Sequence, residues 1–169
     1  MLICTSFVLL VVDVEAIEAA QLHSIAYAKK QTSVNHVNYP NNIWVRIRNG
    51  FVLKAFNNDA IREHEISYTR HPKYIYQMIE RGKPYLYHIV EEVERREIPT
   101  EIVLLPLIES AFDPKAESKS NALGLWQFIP STGESYGLIQ NKWHDDRRDV
   151  VASTSAALDY LQKLYTIFG

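Results

Sequence analysis

Apolar residues recur three or four positions apart along much of this chain, which is the spacing of a helix with one buried face. The pattern is clearest after Pro84, where the positions between the apolar residues are charged. The apolar positions are Leu86, Ile89, Val90 and Val93, and the charged ones are Glu91, Glu92, Glu94, Arg95 and Arg96. We therefore expect an amphipathic helix whose charges form a solvated face rather than a binding patch.

Cap and stop residues divide the rest of the chain into further short helices. These signals are Asn42 and Gly50, His71-Pro72 and Gly82, the capping-box pair Ser131 and Glu134, and Asp149 as N-cap of the last helix. Glycine after a periodic segment predicts the end of a helix, so separate helices are expected before Gly82 and after it. No segment of useful length alternates with the period of a strand, and the predicted fold class is all-α.

The stretch from residue 99 to residue 114 is the most apolar part of this helical pattern. One buried helix is expected to start at Pro99 and to kink at Pro106, because proline inside a helix removes a backbone hydrogen bond. The helix is expected to end at Asp113, since the residue before Pro114 is pushed out of the α region.

Glu109 is the ionisable residue between Ile102 and Phe112, and it falls in the last turn of the predicted helix. Apolar surroundings disfavour the charged form and raise the pKa of a carboxyl group, so a general acid is expected here. No convincing second carboxylate accompanies it. Asp113 is interpreted as a helix-ending residue, and Glu117 as a solvated loop residue.

Composition excludes several function classes for the 169 residues. The net charge of -2 provides no basic field for nucleic acid, so no nucleic-acid partner is expected. Cys4 is the only cysteine and the six histidines lack metal-ligand spacing, so neither a metal nor another cofactor is predicted. The aromatic content of 11% includes candidate platforms for sugar rings, although most aromatic residues are expected in the core.

The first 40 residues are expected to lie outside the helical domain. Residues 2–12 form an apolar run too short to cross a bilayer, similar to the core of an export signal. No Lys or Arg precedes the run, so an atypical export signal stays beside a buried segment or a misassigned start as an alternative. The predicted organisation is a signal and linker at 1–40, a helical region at 41–98 and a catalytic domain at 99–169.

Several motifs together resemble a known family. They are Glu109-Ser110-Ala-Phe-Asp-Pro, Ser118, and Gly124-Leu125-Trp126-Gln127, joined by the segments 44–51, 84–94 and 146–161. This ordered set, spread over residues 41–169, is similar to the soluble-type (SLT) lytic transglycosylases, in the subfamily of membrane-bound lytic murein transglycosylase D.

The resemblance implies a lysozyme-like helical domain that cleaves the β-1,4 bond between N-acetylmuramic acid and N-acetylglucosamine in peptidoglycan. In this family one Glu acts first as acid and then as base, and the product carries a 1,6-anhydro ring. The implied partner is the peptidoglycan glycan strand and the implied location is the periplasm or cell envelope of a bacterium. A monomer without cofactor is expected.

Site residues follow from the same resemblance. Glu109 is implied as the catalytic acid and base, and Ser118 and Gln127 as sugar contacts. Ser110 is expected to support the carboxylate or the helix end beside a sugar contact. Trp126 is expected to line the groove or to hold the loop as a buried aromatic residue. Tyr160 is expected in the core or near the cleft, and Gly124 in a turn or at a close backbone approach.

The family continues beyond the helix matched by residues 160–168 into a segment of the Ala-Tyr-Asn-Ala-Gly type. This sequence ends at Gly169. We therefore expect a C-terminally truncated catalytic domain with one open cleft wall and with exposed apolar surface near Leu161 and Tyr165. Two alternatives stand beside the enzyme: a non-catalytic peptidoglycan-binding fragment, and a helical scaffold in which Glu109 pairs with an arginine.

Overall fold

The structure is a computed structural model that describes residues 42–52, 62–63, 66 and 68–168. Helices joined by loops make up this part of the chain, with isolated β-bridges in place of extended strands. The elements are α1 (Ile43–Asn49), α2 (Pro72–Arg95), a 3₁₀ helix (Thr100–Leu104), α3 (Leu105–Ser110), α4 (Pro130–Ser135), a 3₁₀ turn (Asp146–Arg148) and α5 (Val150–Phe168). The predicted all-α class is confirmed.

The predicted signal and linker at residues 1–40 lie outside the described residues, as does most of the segment between α1 and α2. Among the helices of the described ranges, none has the length and apolar character needed to cross a bilayer.

Helix α1 has the ends that its sequence predicts. The Asn42 side chain accepts a hydrogen bond of 3.0 Å from the backbone N–H of Trp44, which caps the first turn. Gly50 ends the helix, and its N–H donates to the carbonyl of Ile47. Arg46 then joins α1 to α2 through two hydrogen bonds to the carboxylate of Glu94.

Helix α2 runs without interruption through Gly82 and Pro84, so the predicted break between two helices is wrong. Gly82 is buried where the helix meets the Phe112 ring, and a Cβ added to it would lie 2.7 Å from a carbon of that ring. The glycine therefore permits close packing instead of ending the helix. Apolar residues on both sides of the expected break share one buried face, namely Ile75, Met78, Ile79, Leu86, Ile89, Val90 and Val93.

The apolar stretch after Pro99 folds as a 3₁₀ helix followed by α3, and not as one kinked helix ending at Asp113. Pro106 is the second residue of α3, where a missing N–H breaks no intrahelical bond, so it starts the helix instead of bending it. Helix α3 ends at Ser110, because Ala111 adopts a left-handed conformation with φ 51°. The prediction that Glu109 lies in a last helical turn is confirmed.

The two helices of the C-terminal part differ in how they begin. Helix α4 starts at Pro130 without a side-chain cap, so the capping box predicted from Ser131 and Glu134 is wrong. Helix α5 follows the predicted N-cap, since the Asp149 carboxylate accepts a hydrogen bond of 2.8 Å from the Ala152 N–H.

The core joins α2, the 3₁₀ helix, α3, the following loop and α5 in one cluster of buried apolar side chains. Residues 102–105 and Leu107 fill its centre, with Phe112, Leu125, Trp126, Phe128 and Leu158 around them. The cluster contains residues from both sides of the predicted domain boundary at residue 98, and that boundary stays a prediction.

We expect Gly82→Ala to lower the free energy of unfolding by about 1–3 kcal/mol, because the added methyl group meets the buried Phe112 ring. Helix propensity alone predicts the opposite sign, since alanine is favoured over glycine in a helix interior. Urea unfolding of the variant and of Gln77→Ala, an exposed position on the same helix, checks this. A Gly82→Ala protein as stable as the parent would contradict the packing argument.

Candidate active site

Glu109 lines a small recess between two helices and a loop. The recess contains about 240 Å³ of free space, its solvent-filled mouth included, and is lined by Leu105, Glu109, Trp126, Ala157 and Leu161. Leu105 and Glu109 are one turn apart on α3, and Ala157 and Leu161 are one turn apart on α5, so each helix presents one face. Trp126 from the loop closes a third side. Glu109 is half-buried and its Oε1 atom is shielded from solvent.

The end of α3 fixes the position of Glu109. Ala111 and Phe112 both have positive φ, 51° and 56°, and their N–H groups donate to the carbonyls of Leu107 and Pro106. Arg81 of α2 donates to the Ala111 carbonyl at 3.0 Å, and the Phe112 ring is fully buried against α2. These contacts hold a backbone that non-glycine residues rarely adopt.

Ser110 ties the end of α3 to the loop that follows. Its hydroxyl lies 2.9 Å from the carbonyl oxygen of Leu125 and 3.0 Å from that of Pro106. A hydroxyl has one proton, so the two carbonyls share one donor. The expectation that Ser110 supports the helix end agrees with these contacts, and its sugar contact stays a prediction.

The loop from residue 113 to residue 129 is folded by backbone hydrogen bonds. Leu123 and Phe128 exchange two of them, at 3.0 and 3.1 Å, and the Gly124 N–H donates to Ala116 at 2.9 Å. Gly124 has φ 78°, and a Cβ there would lie 1.8 Å from the carbonyl oxygen of Arg147. Gly124 therefore provides a close backbone approach in a turn that only glycine fits.

Ser118 and Gln127, the two predicted sugar contacts, both stabilise this loop. Gln127 is 9% exposed with φ 51°, and its amide nitrogen donates to the carbonyls of Gly124 and Ala116 at 2.9 and 3.3 Å. The Ser118 hydroxyl oxygen accepts from the N–H groups of Ser120 and Ala122. Their roles toward a sugar stay predictions.

Trp126 combines both interpretations proposed from the sequence. It is 3% exposed and its indole N–H donates to Thr154 Oγ1 at 2.9 Å, which holds the loop against α5. The same side chain lines the recess beside Glu109. Tyr160 is half-buried and meets Tyr136 edge to face, with ring centroids 5.3 Å apart.

Arg147 is a buried anchor of the loop that the sequence reasoning missed. Its guanidinium donates two hydrogen bonds to Asp145, at 2.9 and 2.6 Å, and further ones to the carbonyls of Asn121 and Phe128. The residue is 6% exposed. No periodicity marks it, and two of its partners, Asn121 and Phe128, lie 26 and 19 residues away in the sequence. The sequence signal for Arg147 was its place in the segment 146–161, which is part of the family resemblance.

Comparison with known proteins identifies this region. Residues 87–169 match the family described as "Transglycosylase SLT domain". This part of the chain belongs to that family. The lysozyme-like helical fold expected from the sequence is therefore the fold of this SLT domain.

Relatives of known name extend the match toward the N-terminus. The chain is 48% identical over 126 residues to the "Membrane-bound lytic murein transglycosylase D" of Escherichia coli strain K12, and equally to that of strain CFT073. It is 46% identical over 88 residues to a "Putative tributyltin chloride resistance protein" of Alteromonas sp. strain M-1. These matches cover 75% and 52% of this chain, and 28% and 42% of the respective relatives.

The C-terminal helix of the SLT domain agrees in part with the expected apolar surface. Tyr165 is 74% exposed, as predicted, and Phe168 in the same turn is 79% exposed. Leu161 differs, because it is half-buried and lines the recess with Ala157. The sequence reasoning gave neither Ala157 nor Leu161 a place beside Glu109, since residues so far apart meet only in the folded SLT domain.

We expect Arg147→Met to destabilise the SLT domain by about 3–5 kcal/mol, because it removes the guanidinium from the partly buried Asp145 carboxylate and from the carbonyls of Asn121 and Phe128. Its neighbour provides a matched control: Arg148 is 39% exposed and binds Glu117 and the Lys115 carbonyl, so Arg148→Met is expected to change stability by less than about 1 kcal/mol. Urea unfolding measures both. Equal losses at the two positions would contradict the anchoring role.

The Asp145 carboxylate makes the stability of the SLT domain depend on pH in the acidic range. The hydrogen bond from Arg147 is the main reason that its pKa is lowered, outweighing desolvation, which raises it. Stability from a lowered carboxyl pKa is present above the unfolded-state value and is lost as pH falls through the folded-state value. The difference in unfolding free energy between the parent and Asp145→Asn should therefore be constant near neutral pH and shrink below about pH 4. A difference unchanged down to pH 2 would contradict it.

Proposed function

We propose that this chain is the catalytic part of a lytic transglycosylase that cleaves peptidoglycan between N-acetylmuramic acid and N-acetylglucosamine. Membership of the SLT family and the 48% identity to proteins named lytic murein transglycosylase D support the proposal. The chain spans about a quarter of the length of those relatives, so this activity is proposed for the region it contains.

The observation that carries the proposal is the environment of Glu109. Four apolar or aromatic residues line the recess with it, and Oε1 is shielded from water. We propose that Glu109 holds a proton in this recess until the substrate arrives, as a general acid requires. The recess is partly open to solvent, and we propose that the sugar approaches Glu109 from this side.

In the first step, Glu109 gives its proton to the bridging oxygen. The bond between C1 of N-acetylmuramic acid and this oxygen breaks, and the leaving N-acetylglucosamine keeps the proton as its C4 hydroxyl. Positive charge develops at C1 and the ring oxygen, next to the newly formed Glu109 carboxylate. The carboxylate stabilises this charge because the apolar lining weakens screening by water.

In the second step, Glu109 takes a proton from the C6 hydroxyl of the same N-acetylmuramic acid. The C6 oxygen forms a bond to C1, which closes the 1,6-anhydro ring and returns Glu109 to its protonated form. No water is consumed and no cofactor is needed. An internal hydroxyl competes well with water because it is held at high effective concentration.

One carboxyl group therefore serves both steps, which agrees with the recess, where Glu109 is the single ionisable side chain among the described residues that line it. We propose Ser118, Gln127 and Ser110 as polar contacts to the sugars on either side of the cleaved bond. Trp126 provides an apolar face in the recess. Tyr160 lies on α5, between the lining residues Ala157 and Leu161 in the sequence. We further propose that the enzyme works as a monomer on glycan strands in the bacterial periplasm or envelope.

We expect Glu109→Gln to reduce the release of anhydromuropeptides from purified peptidoglycan by at least about 100-fold, since the amide cannot transfer the proton. Liquid chromatography with mass spectrometry measures the products, and circular dichroism compares the folds. Glu134→Gln, an exposed position on α4, is the matched control and should keep full activity.

Two results would count against the mechanism. Retained turnover in Glu109→Gln would remove Glu109 from the acid role, and reducing-end products from the parent would point to hydrolysis. If the parent instead sediments with peptidoglycan but releases nothing, the region acts as a non-catalytic binding module.

A further inference from the structure

Trp143 is the most exposed large apolar side chain in the described part of the chain. It is 94% exposed, whereas Trp126 is 3% exposed and Trp44 is half-buried. A fully exposed tryptophan offers a large flat surface with no packing role. We propose that Trp143 is a stacking platform for a sugar ring of the glycan strand, at a subsite separate from the recess around Glu109. This inference rests on the proposed function.

The loop that carries Trp143 is held in one conformation. The Asn141 side chain accepts hydrogen bonds from the N–H groups of Trp143 and His144, at 2.9 and 3.0 Å. The Asn141 N–H donates to the His144 carbonyl at 2.8 Å, which closes the turn. The backbone under the indole is therefore ordered before binding, so a ligand on the ring pays little additional conformational entropy.

Polar groups surround the indole and suit the rim of a sugar. Lys142 and His144 flank Trp143 and are exposed, and the His144 ring binds the Asp146 carboxylate. A pyranose has apolar C–H faces and a polar edge of hydroxyl and acetamido groups. The indole matches the face, while the neighbouring side chains can hydrogen-bond to the edge.

Arg147 connects this loop to the loop that bears the predicted sugar contacts. It binds Asp145, at the base of the Trp143 turn, and also the carbonyls of Asn121 and Phe128. Asn121 and Phe128 bracket the turn that contains Gln127. The two loops are thus fixed to each other through one buried guanidinium. A polymeric substrate extends beyond the cleaved bond, so a second contact on a rigidly connected loop increases its affinity.

The charges of the Trp143 loop favour a glycan over a lipid surface. From Lys142 to Asp149 the segment carries three carboxylates and three basic side chains, so it has no excess of positive charge. Membrane-binding segments usually add basic residues beside their aromatic ones, since the target leaflet is anionic.

The test compares variants of the full chain for binding to purified peptidoglycan sacculi, in a sedimentation assay. In the non-cleaving Glu109→Gln background, Trp143→Ala is expected to bind roughly three- to tenfold more weakly. Trp143→Tyr, which keeps an aromatic face, should retain most of the affinity, and Trp143→Leu should behave like the alanine variant. Tyr74→Ala, an exposed aromatic position on α2, is the control and should bind like the parent.

Two further readouts separate stacking from a structural role. Thermal unfolding of Trp143→Ala should match the parent, because the side chain makes few contacts. In the parent, the indole N–H resonance of Trp143 should shift on addition of an N-acetylglucosamine hexamer.

Unchanged sedimentation of Trp143→Ala, or an unshifted Trp143 resonance, would overturn the proposal. The proposal would also be overturned if Trp143→Ala lost binding to vesicles containing phosphatidylglycerol but kept its binding to sacculi. The two proposals fail separately: if the parent cleaves sacculi and Trp143→Ala cleaves them equally well, the platform alone is refuted. A parent that neither binds nor cleaves sacculi refutes both.

Discussion

The position of Glu109 depends on how the short helix α3 ends. Ala111 and Phe112 take left-handed conformations that cost energy, and the chain keeps them because the Phe112 ring fills a site against Gly82 that has no room for a Cβ. Arg81 holds the same turn from the exposed side, by donating to the Ala111 carbonyl. A helix of six residues has little stability of its own, so these tertiary contacts determine where its last turn points.

A second constraint acts on the loop opposite Glu109. Its backbone closes on itself, and the buried guanidinium of Arg147 donates further hydrogen bonds to the carbonyls of Asn121 and Phe128. Arginine suits this position because its planar fork binds a carboxylate with two donors and still reaches two carbonyls. The Ser110 hydroxyl then links the loop to α3 through Leu125. Both walls of the recess are thereby connected by hydrogen bonds as well as by the apolar core.

Some features set by near neighbours in sequence were predictable, whereas those set by distant contacts were not. The Asn42 and Asp149 caps were correct, because each side chain binds a backbone N–H two or three residues away. Gly82 was misread as a helix stop, since its real constraint is a ring 30 residues later in the chain. Arg147 was missed in part for the same reason, because two of its partners, Asn121 and Phe128, lie 26 and 19 residues away. Within the site, the last-turn position of Glu109 followed from local pattern, whereas the lining by α5 required the fold.

The internal hydrogen bonds of the loop decide which atoms remain for a sugar. The Gln127 amide nitrogen donates to two backbone carbonyls, so any sugar contact through this residue has to use its oxygen as an acceptor. The Ser118 oxygen already accepts from two N–H groups, which leaves its hydroxyl proton as the group to offer. One residue is thus set to accept and the other to donate, and an acetamido group contains both a donor and an acceptor. Because the loop fixes these roles before any ligand binds, the sugar contacts proposed for the two residues would depend on the folded backbone and not on flexible side chains.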